Sequence, residues 1–90
     1  MTPPAPVLPP FTRYVRLESV DHTRNRARFY VLQWQPTLDG RLALLRIWGR
    51  LGTLGQVRTL LWADDARLPD DITRVVHQRL LHGYELTAWQ

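Results

Sequence analysis

The segment IWGRLGTLGQ, residues 47–56, combines a tryptophan and an arginine with three of the five glycines in the chain, and it contains no acidic residue. An indole ring offers a stacking face, and a guanidinium can hold a phosphate through paired hydrogen bonds. Trp48 and Arg50 are therefore the first candidates for a nucleic-acid contact. The alternative is that Trp48 fills a gap in the core and the glycines only allow turn dihedrals.

Other kinds of site have little support in the sequence. The chain has no cysteine, which excludes thiolate metal ligands and cysteine nucleophiles, and no two of its three histidines have the i,i+4 spacing of a helical metal site. The only serine, Ser19, lacks a nucleophile motif. The glycines match neither the dinucleotide fingerprint nor the phosphate-binding loop. We therefore expect no enzyme activity, no bound metal and no cofactor.

Length and composition predict a small soluble domain with an anionic partner. Ninety residues with 44% hydrophobic content allow one modest core. The net charge is +4 and all twelve basic residues are arginine, which favours phosphate binding but equally fits the codon bias of a GC-rich genome. No segment resembles a signal peptide or approaches the roughly 18 apolar residues of a membrane span. We therefore expect a cytoplasmic location and no membrane contact.

The first ten residues, MTPPAPVLPP, contain five of the seven prolines. This composition predicts an extended N-terminal arm over residues 1–10, followed by a domain over residues 11–90. A disordered terminus and a proline-rich docking ligand both fit the arm. Because its side chains offer little to a core, we expect the arm to be dispensable for stability.

Alternating polar and apolar residues predict four β-strands. Their approximate bounds are residues 13–20, 28–34, 41–48 and 56–62. Asp39 and Gly40 suit the turn of a hairpin between the second and third strands. The segment around Trp48 then lies at the end of the third strand and in its connection to the fourth.

A single helix follows the predicted strands. Pro69 is tolerated at a first helical position, and Asp70 and Asp71 suit the positive N-terminal end. Apolar residues recur at helical spacing as far as His82, and Gly83 is placed to cap the helix. The sequence therefore predicts an α+β fold: a four-stranded antiparallel β-sheet (meander) with one helix, residues 69–82, packed on one face.

Alternation along the third strand separates two sets of side chains. One set is Ala43, Leu45 and Ile47, and the other is Leu44, Arg46 and Trp48. The first set suits the core. The same counting puts Arg28 with Tyr30 on the second strand and Arg58 with Trp62 on the fourth. We hypothesise an arginine and aromatic surface opposite the helix, with the strand register left open.

The segment around Trp48 resembles the signature of the WGR domain family, which is named after its Trp-Gly-Arg triplet. Trp48, Gly49 and Arg50 match the triplet, and residues 52–56 match its GxxGQ continuation. Upstream, NRARFYVLQW is similar to the family's asparagine, aromatic-pair and glutamine pattern, and downstream LLHGYEL resembles its closing helix and Gly-Tyr. The four matches follow the family's order and cover most of the chain.

The resemblance implies a fold and a function. The family occurs beside the catalytic domain of poly(ADP-ribose) polymerases and as small standalone bacterial proteins, with an antiparallel sheet and one helix. In the polymerases the domain binds DNA ends and breaks. There the tryptophan of the triplet packs on the sugar at the terminus, and nearby polar and basic residues hold the phosphates. By this resemblance Trp48 would stack, and Arg50 would contact phosphate or a neighbouring domain.

We therefore predict a non-enzymatic nucleic-acid-binding module that recognises DNA ends or nicks. The predicted contact residues are Trp48 as the stacking platform, Arg50, Arg46 and Arg58 on phosphates, and Gly49, Asn25 and Tyr30 beside them. Asn25 and Tyr30 match the family pattern by type, but they also suit a turn and a core position. The alternative function is a protein-interaction module in which the same tryptophan and arginines anchor a partner.

Overall fold

The chain forms an antiparallel sheet with a helix on one face. The computed structural model describes residues 8–62 and 68–90. The elements in these ranges are β1 Tyr14–Asp21, a 3-10 turn His22–Arg24, β2 Arg26–Pro36, β3 Leu42–Arg50, β4 Gln56–Trp62, α1 Leu68–Leu81 and β5 Glu85–Trp89. The strand order in the sheet is β4-β3-β2-β1-β5. Within the described ranges, no helix has the length and apolar character needed to cross a membrane.

The predicted α+β class, the first four strands and the helix are confirmed, but the predicted number of strands is wrong. Residues 85–89 form a fifth strand, which pairs antiparallel with β1 so that Leu86 lies opposite Leu17. The chain reverses after α1 at Gly83, whose φ of +86° favours glycine. The reversal returns the chain to the free edge of β1. A strand this short carries too little alternation to be recognised without that edge.

The core lies between α1 and part of the sheet. Its buried members are Leu68, Ile72 and Val76 on the helix, Val15 and Leu17 on β1, Tyr30 and Leu32 on β2, and Leu44 on β3. The helix therefore covers β1, β2 and one position of β3. On β4, by contrast, the side chains of residues 56–59 are exposed. The helix thus leaves the β3-β4 side of this sheet face open.

The predicted orientation of β3 is wrong. The register places Trp48 opposite Tyr30 and Arg46 opposite Leu32. Directly opposite residues share a face, and Tyr30 and Leu32 face the helix, so Arg46 and Trp48 also lie on the helix side. Ala43 and its set lie on the other face. Alternation defines two sets of side chains on a strand, but which set meets the helix depends on packing with distant residues.

The end of the predicted arm packs on the domain. Residues 1–7 lie outside the described part of the chain, whereas Leu8 and Phe11 are partly buried against the core. Leu8 and Phe11 line a shallow cleft that Ile72 and His77 of α1 also line. Residue 8 therefore contributes apolar contacts to the domain, and the boundary at residue 10 stays a prediction.

Leu8→Ala is expected to lower the free energy of unfolding by about 1 to 2 kcal/mol, less than a fully buried leucine loses, because Leu8 is only partly buried. Leu38→Ala is the matched control. Leu38 is fully exposed at the tip of the β2-β3 hairpin, with a relative exposure of 110%, so its removal should change stability by less than about 0.5 kcal/mol. Urea denaturation measures both values. Equal stabilities for the two variants would contradict the packing of Leu8.

Candidate nucleic-acid interface

A cleft on the helix side of the sheet collects most of the predicted site residues. It has a volume of about 360 Å³. The lining residues are Ala27, Arg28, Phe29, Tyr30, Arg46, Trp48, Gly49, Arg50, Arg79 and Tyr84. We call it the arginine cleft. Of the predicted site residues, Asn25 and Arg58 do not line it.

The strand register brings arginines face to face. Arg28 on β2 lies directly opposite Arg50 on β3, and Arg46 on β3 lies directly opposite Arg58 on β4. Opposite residues in an antiparallel pair have their Cβ atoms about 4.5 to 5.5 Å apart, and like charges at this position are destabilising. All four arginines are on the helix side of the sheet. Two such pairs on one face form a concentrated positive surface.

Aromatic rings position two of the cleft's guanidinium groups. The guanidinium carbon of Arg79, on α1, lies 4.1 Å from the centroid of the Tyr30 ring and 5.5 Å from that of Tyr84. The Nε of Arg46 donates a hydrogen bond to the Tyr30 hydroxyl at 2.9 Å, and its guanidinium carbon lies 6.0 Å from the Trp48 ring. Stacked arginines of this kind gain about 0.5 to 2 kcal/mol and keep most of their hydrogen-bond donors.

Among the residues that the structure describes, no carboxylate group lines the arginine cleft. The ion pairs within residues 8–62 and 68–90 lie elsewhere and are Arg16–Glu18, Arg24–Asp21, Arg41–Asp39 and Arg74–Asp71. Positive groups in a concave site without countercharges raise the local concentration of anions. In the same ranges, no three side chains of the metal-ligating types come together. The arrangement is suited to binding an anion with several charges.

Trp48 combines the two roles that the sequence left open. It is partly buried, it packs against the hydrophobic core, and it also lines the arginine cleft. Tyr30 is more deeply buried, with a relative exposure of 3%, so it supports Arg46 and Arg79 from below. The accessible part of Trp48 is therefore the aromatic surface that a ligand in the cleft can contact.

Asn25 holds Arg50 at the edge of the cleft. Asn25 ends the 3-10 turn with a φ of +52°, a conformation that asparagine tolerates better than most residues. The Nη2 of Arg50 donates a hydrogen bond to the side-chain oxygen of Asn25 at 3.1 Å, and Nη1 donates a longer one to its backbone oxygen at 3.4 Å. Arg50 remains exposed. Asn25 thus positions an arginine and does not itself line the site.

Two of the glycines near Trp48, Gly49 and Gly55, are required by close packing of the chain on Phe29. A Cβ at residue 55, where φ is +74°, would lie 2.5 Å from the Trp48 carbonyl oxygen and 2.7 Å from Cζ of Phe29. A Cβ at residue 49 would lie 2.8 Å from the Cα of Gly55. The turn therefore passes directly over the buried Phe29 ring. Here the glycines serve turn geometry and close backbone packing within the domain.

Sequence reasoning missed five residues that line the cleft: Ala27, Phe29, Arg28, Arg79 and Tyr84. Arg28 shares a face with Tyr30 by alternation, which was a usable signal, but it was not placed among the contact residues. Arg79 and Tyr84 come from the end of α1 and from the segment after it. They were missed because the helix was expected on the opposite face from Arg46. The resemblance of the Gly83-Tyr84 pair to the family pattern was the only signal for Tyr84.

Comparison with known proteins gives two matches. The model of the WGR domain matches residues 13–88. A curated relative from Sinorhizobium fredii (strain NBRC 101917 / NGR234), named “Uncharacterized protein y4dW”, is 48% identical over 48 residues. The matched part is 53% of this chain and 22% of that protein, so the chain spans about a fifth of the relative's length. No solved structure matches.

Gly55→Ala and Gly52→Ala test the packing of the turn. Both glycines have positive φ, +74° and +86°, but a Cβ at residue 52 meets nothing within 4 Å. Gly52→Ala should therefore cost only the backbone strain, about 1 kcal/mol, whereas Gly55→Ala should cost at least about 2 kcal/mol because of the added overlap. Urea denaturation measures the difference. Similar losses for the two variants would show that the turn does not pack closely on Phe29.

Proposed function

The chain belongs to the WGR domain family, as its Trp-Gly-Arg triplet predicts, and from this we propose that it binds DNA at ends or nicks. The WGR domain is a nucleic-acid-binding type of domain in poly(ADP-ribose) polymerase-like proteins. In the proposed complex, Trp48 packs against the exposed terminus and the arginines of the cleft hold the adjacent phosphates. The observation that carries the proposal is the cross-strand pair of Arg28 and Arg50 in a cleft whose described lining residues include no carboxylate.

The arginine pairs support phosphate binding because they are unfavourable in the free protein. Each like-charge pair across two strands costs a fraction of a kcal/mol, and none of the described residues that line the cleft is acidic and could offset this cost. A phosphodiester backbone supplies regularly spaced negative charges to such a surface. In the complex, Arg28 and Arg50 contact phosphate oxygens together. The negative charge of the phosphates then offsets the repulsion between the two guanidinium groups. Such contacts set position and orientation on DNA and are independent of base sequence.

Trp48 supports the preference for termini. Stacking on a base or sugar needs a free face, which an end or a nick exposes and a continuous duplex does not. The Trp48 ring lies beside Arg46, so the aromatic and phosphate contacts are adjacent. The cleft can therefore engage the terminal residue and its phosphate in one complex.

Trp48→Ala should remove the preference for ends. The wild type is expected to bind a short linear duplex and a nicked circle more tightly than a closed circle, and the variant should lose about 1 to 3 kcal/mol on the first two only. Trp89→Ala is the control, since Trp89 lies on β5 opposite Val15 and is 48% exposed. Fluorescence anisotropy and competition with each DNA give the affinities, and circular dichroism checks folding. Equal loss on all three DNAs would contradict terminal stacking.

Arg28→Gln should have effects of opposite sign on binding and stability. Binding to every DNA should weaken, and the slope of log K against log salt concentration should fall by about 0.9 for one lost phosphate contact. The free protein should become more stable by about 0.2 to 1 kcal/mol, because the repulsion between Arg28 and Arg50 is removed. Titrations at several salt concentrations and urea denaturation measure the two effects.

Arg41→Gln is the control for Arg28→Gln. Arg41 lies just before β3, at the other end of that strand from Arg50, and its guanidinium pairs with Asp39 at 2.7 Å. We expect this variant to retain the salt slope and to gain no stability. If the two variants change the salt slope equally, the phosphate contacts are not localised in the cleft.

The alternative function, a protein-interaction module on the same surface, predicts a different outcome. If the folded wild type binds none of the three DNAs at low salt, the protein-interaction function is favoured. A basic surface that binds DNA does so most strongly at low salt. Trp48 and the arginines would then be anchors for a protein partner.

A further inference from the structure

A second cavity continues the arginine cleft along the helix. It has a volume of about 430 Å³ and lies between α1 and the part of β3 and β4 that the helix leaves open. Tyr30, Arg46 and Arg79 line both cavities. The two cavities therefore adjoin at these three side chains, and we call the second cavity the helix groove.

The helix groove has an apolar floor and a mainly basic rim. Its floor includes the buried Leu44 and the partly buried Leu60 and Val75. Arg46 and Arg79 stand on the rim at the junction with the arginine cleft. The other polar residues of the rim are Gln78, Arg74 and Asp71 on α1 and His82 just after it. Asp71 is the single carboxylate among the described lining residues, and Arg74 pairs with it at 2.7 Å.

We propose that the helix groove binds a short single-stranded extension at the DNA end, so that the preferred ligand is a duplex end with a few unpaired nucleotides. This inference rests on the proposed function. The groove adjoins the cleft that takes the terminus, so a strand that leaves the last base pair passes over Arg46 and Arg79 into it.

The composition of the groove favours an unpaired strand over a paired one. The apolar surfaces of Leu60 and Val75 suit the face of a base, and a base can present its face only after it leaves the duplex stack. The guanidinium groups of Arg46 and Arg79, at the junction with the arginine cleft, are placed for the phosphate that leads to that base. The Nε of Arg46 is engaged with Tyr30, while its η nitrogens have no other partner among the described residues.

The groove also limits the length of the extension. Asp71 lies at the end remote from the arginine cleft, and its charge disfavours a further phosphate there. Arg79 and Arg74 are five residues apart on α1, which corresponds to roughly 7.5 Å along the helix axis. The groove therefore has room for a short extension and not for a long single strand.

The first experiment compares duplexes that differ only at the terminus. A blunt duplex, the same duplex with an extension of about three thymidines on either the 3′ or the 5′ strand, and a closed circle are titrated at one salt concentration. We expect at least one of the extended duplexes to bind about tenfold more tightly than the blunt one, the gain expected from one additional stacked base.

The second experiment places a negative charge in the groove without changing its size. Gln78→Glu is nearly isosteric, and Gln78 is exposed, so the variant should fold normally. Repulsion of the phosphates should remove most of the advantage of the extended duplex. Gln33→Glu is the matched control: it makes the same change at an exposed position of β2 on the sheet face opposite the helix, and it should keep that advantage.

Each outcome decides the inference. An advantage for the extended duplex that Gln78→Glu removes and Gln33→Glu retains supports it. Equal affinity of the wild type for blunt and extended duplexes overturns the groove inference and leaves end binding intact. An advantage that both variants retain also overturns it, because the single strand then lies elsewhere. If the wild type binds none of the DNAs, the proposed function falls with it.

Discussion

The register between β2 and β3 determines which side chains of these two strands form the site. It places Trp48 opposite Tyr30 and Gly49 opposite Phe29. A shift of one residue would move Arg46 and Trp48 to the face without the helix and would bring a different set of side chains onto the core. The turn that follows β3 helps to fix the register, because its backbone passes closely over the Phe29 ring only when Gly49 and Phe29 are paired. Packing of the turn on the sheet face without the helix thus determines which residues lie in the site on the helix side.

The positive charge of the site is tolerated because its unfavourable contacts are small and partly compensated. Each cross-strand arginine pair costs about 0.2 to 1 kcal/mol, and each arginine stacked on an aromatic ring regains a similar amount. Arg79 lies over Tyr30, and Arg46 is hydrogen-bonded to the hydroxyl of the same ring. Tyr30 therefore anchors one side of the cleft to the core. The remaining repulsion between the cross-strand arginines is relieved when a polyanion binds.

Local patterns in the sequence predicted most of the elements, and long-range contacts decided the rest. The first four strands and α1 follow from alternation, turn residues and capping, which act within a few residues. β5 was not predicted, because five residues after Gly83 become a strand only through the free edge of β1. The face on which Arg46 and Trp48 lie was predicted wrongly for the same reason, since it depends on where a distant helix packs.

The candidate site likewise contains residues that local sequence predicted and residues whose place depends on long-range contacts. Trp48, Gly49 and Arg50 were predicted from a resemblance that depends on local sequence, and the structure brings all three into one cleft with Arg46 and Tyr30. Arg79 and Tyr84 were not predicted, since they reach the cleft from the end of the helix and from the segment after it. Their contribution depends on the docking of α1, which a local pattern does not encode.

The order of residues in the Trp-Gly-Arg triplet has a direct physical explanation. Residues two apart on a strand share a face, so Trp48 and Arg50 both point to the helix side and line the arginine cleft. The residue between them points to the opposite face, where the returning turn leaves no space: a Cβ at Gly49 would lie 2.8 Å from the Cα of Gly55. A tryptophan and an arginine can therefore flank the turn on one side of the strand only if the residue between them has no side chain on the other. The triplet joins a binding surface and a tight backbone contact across the same strand.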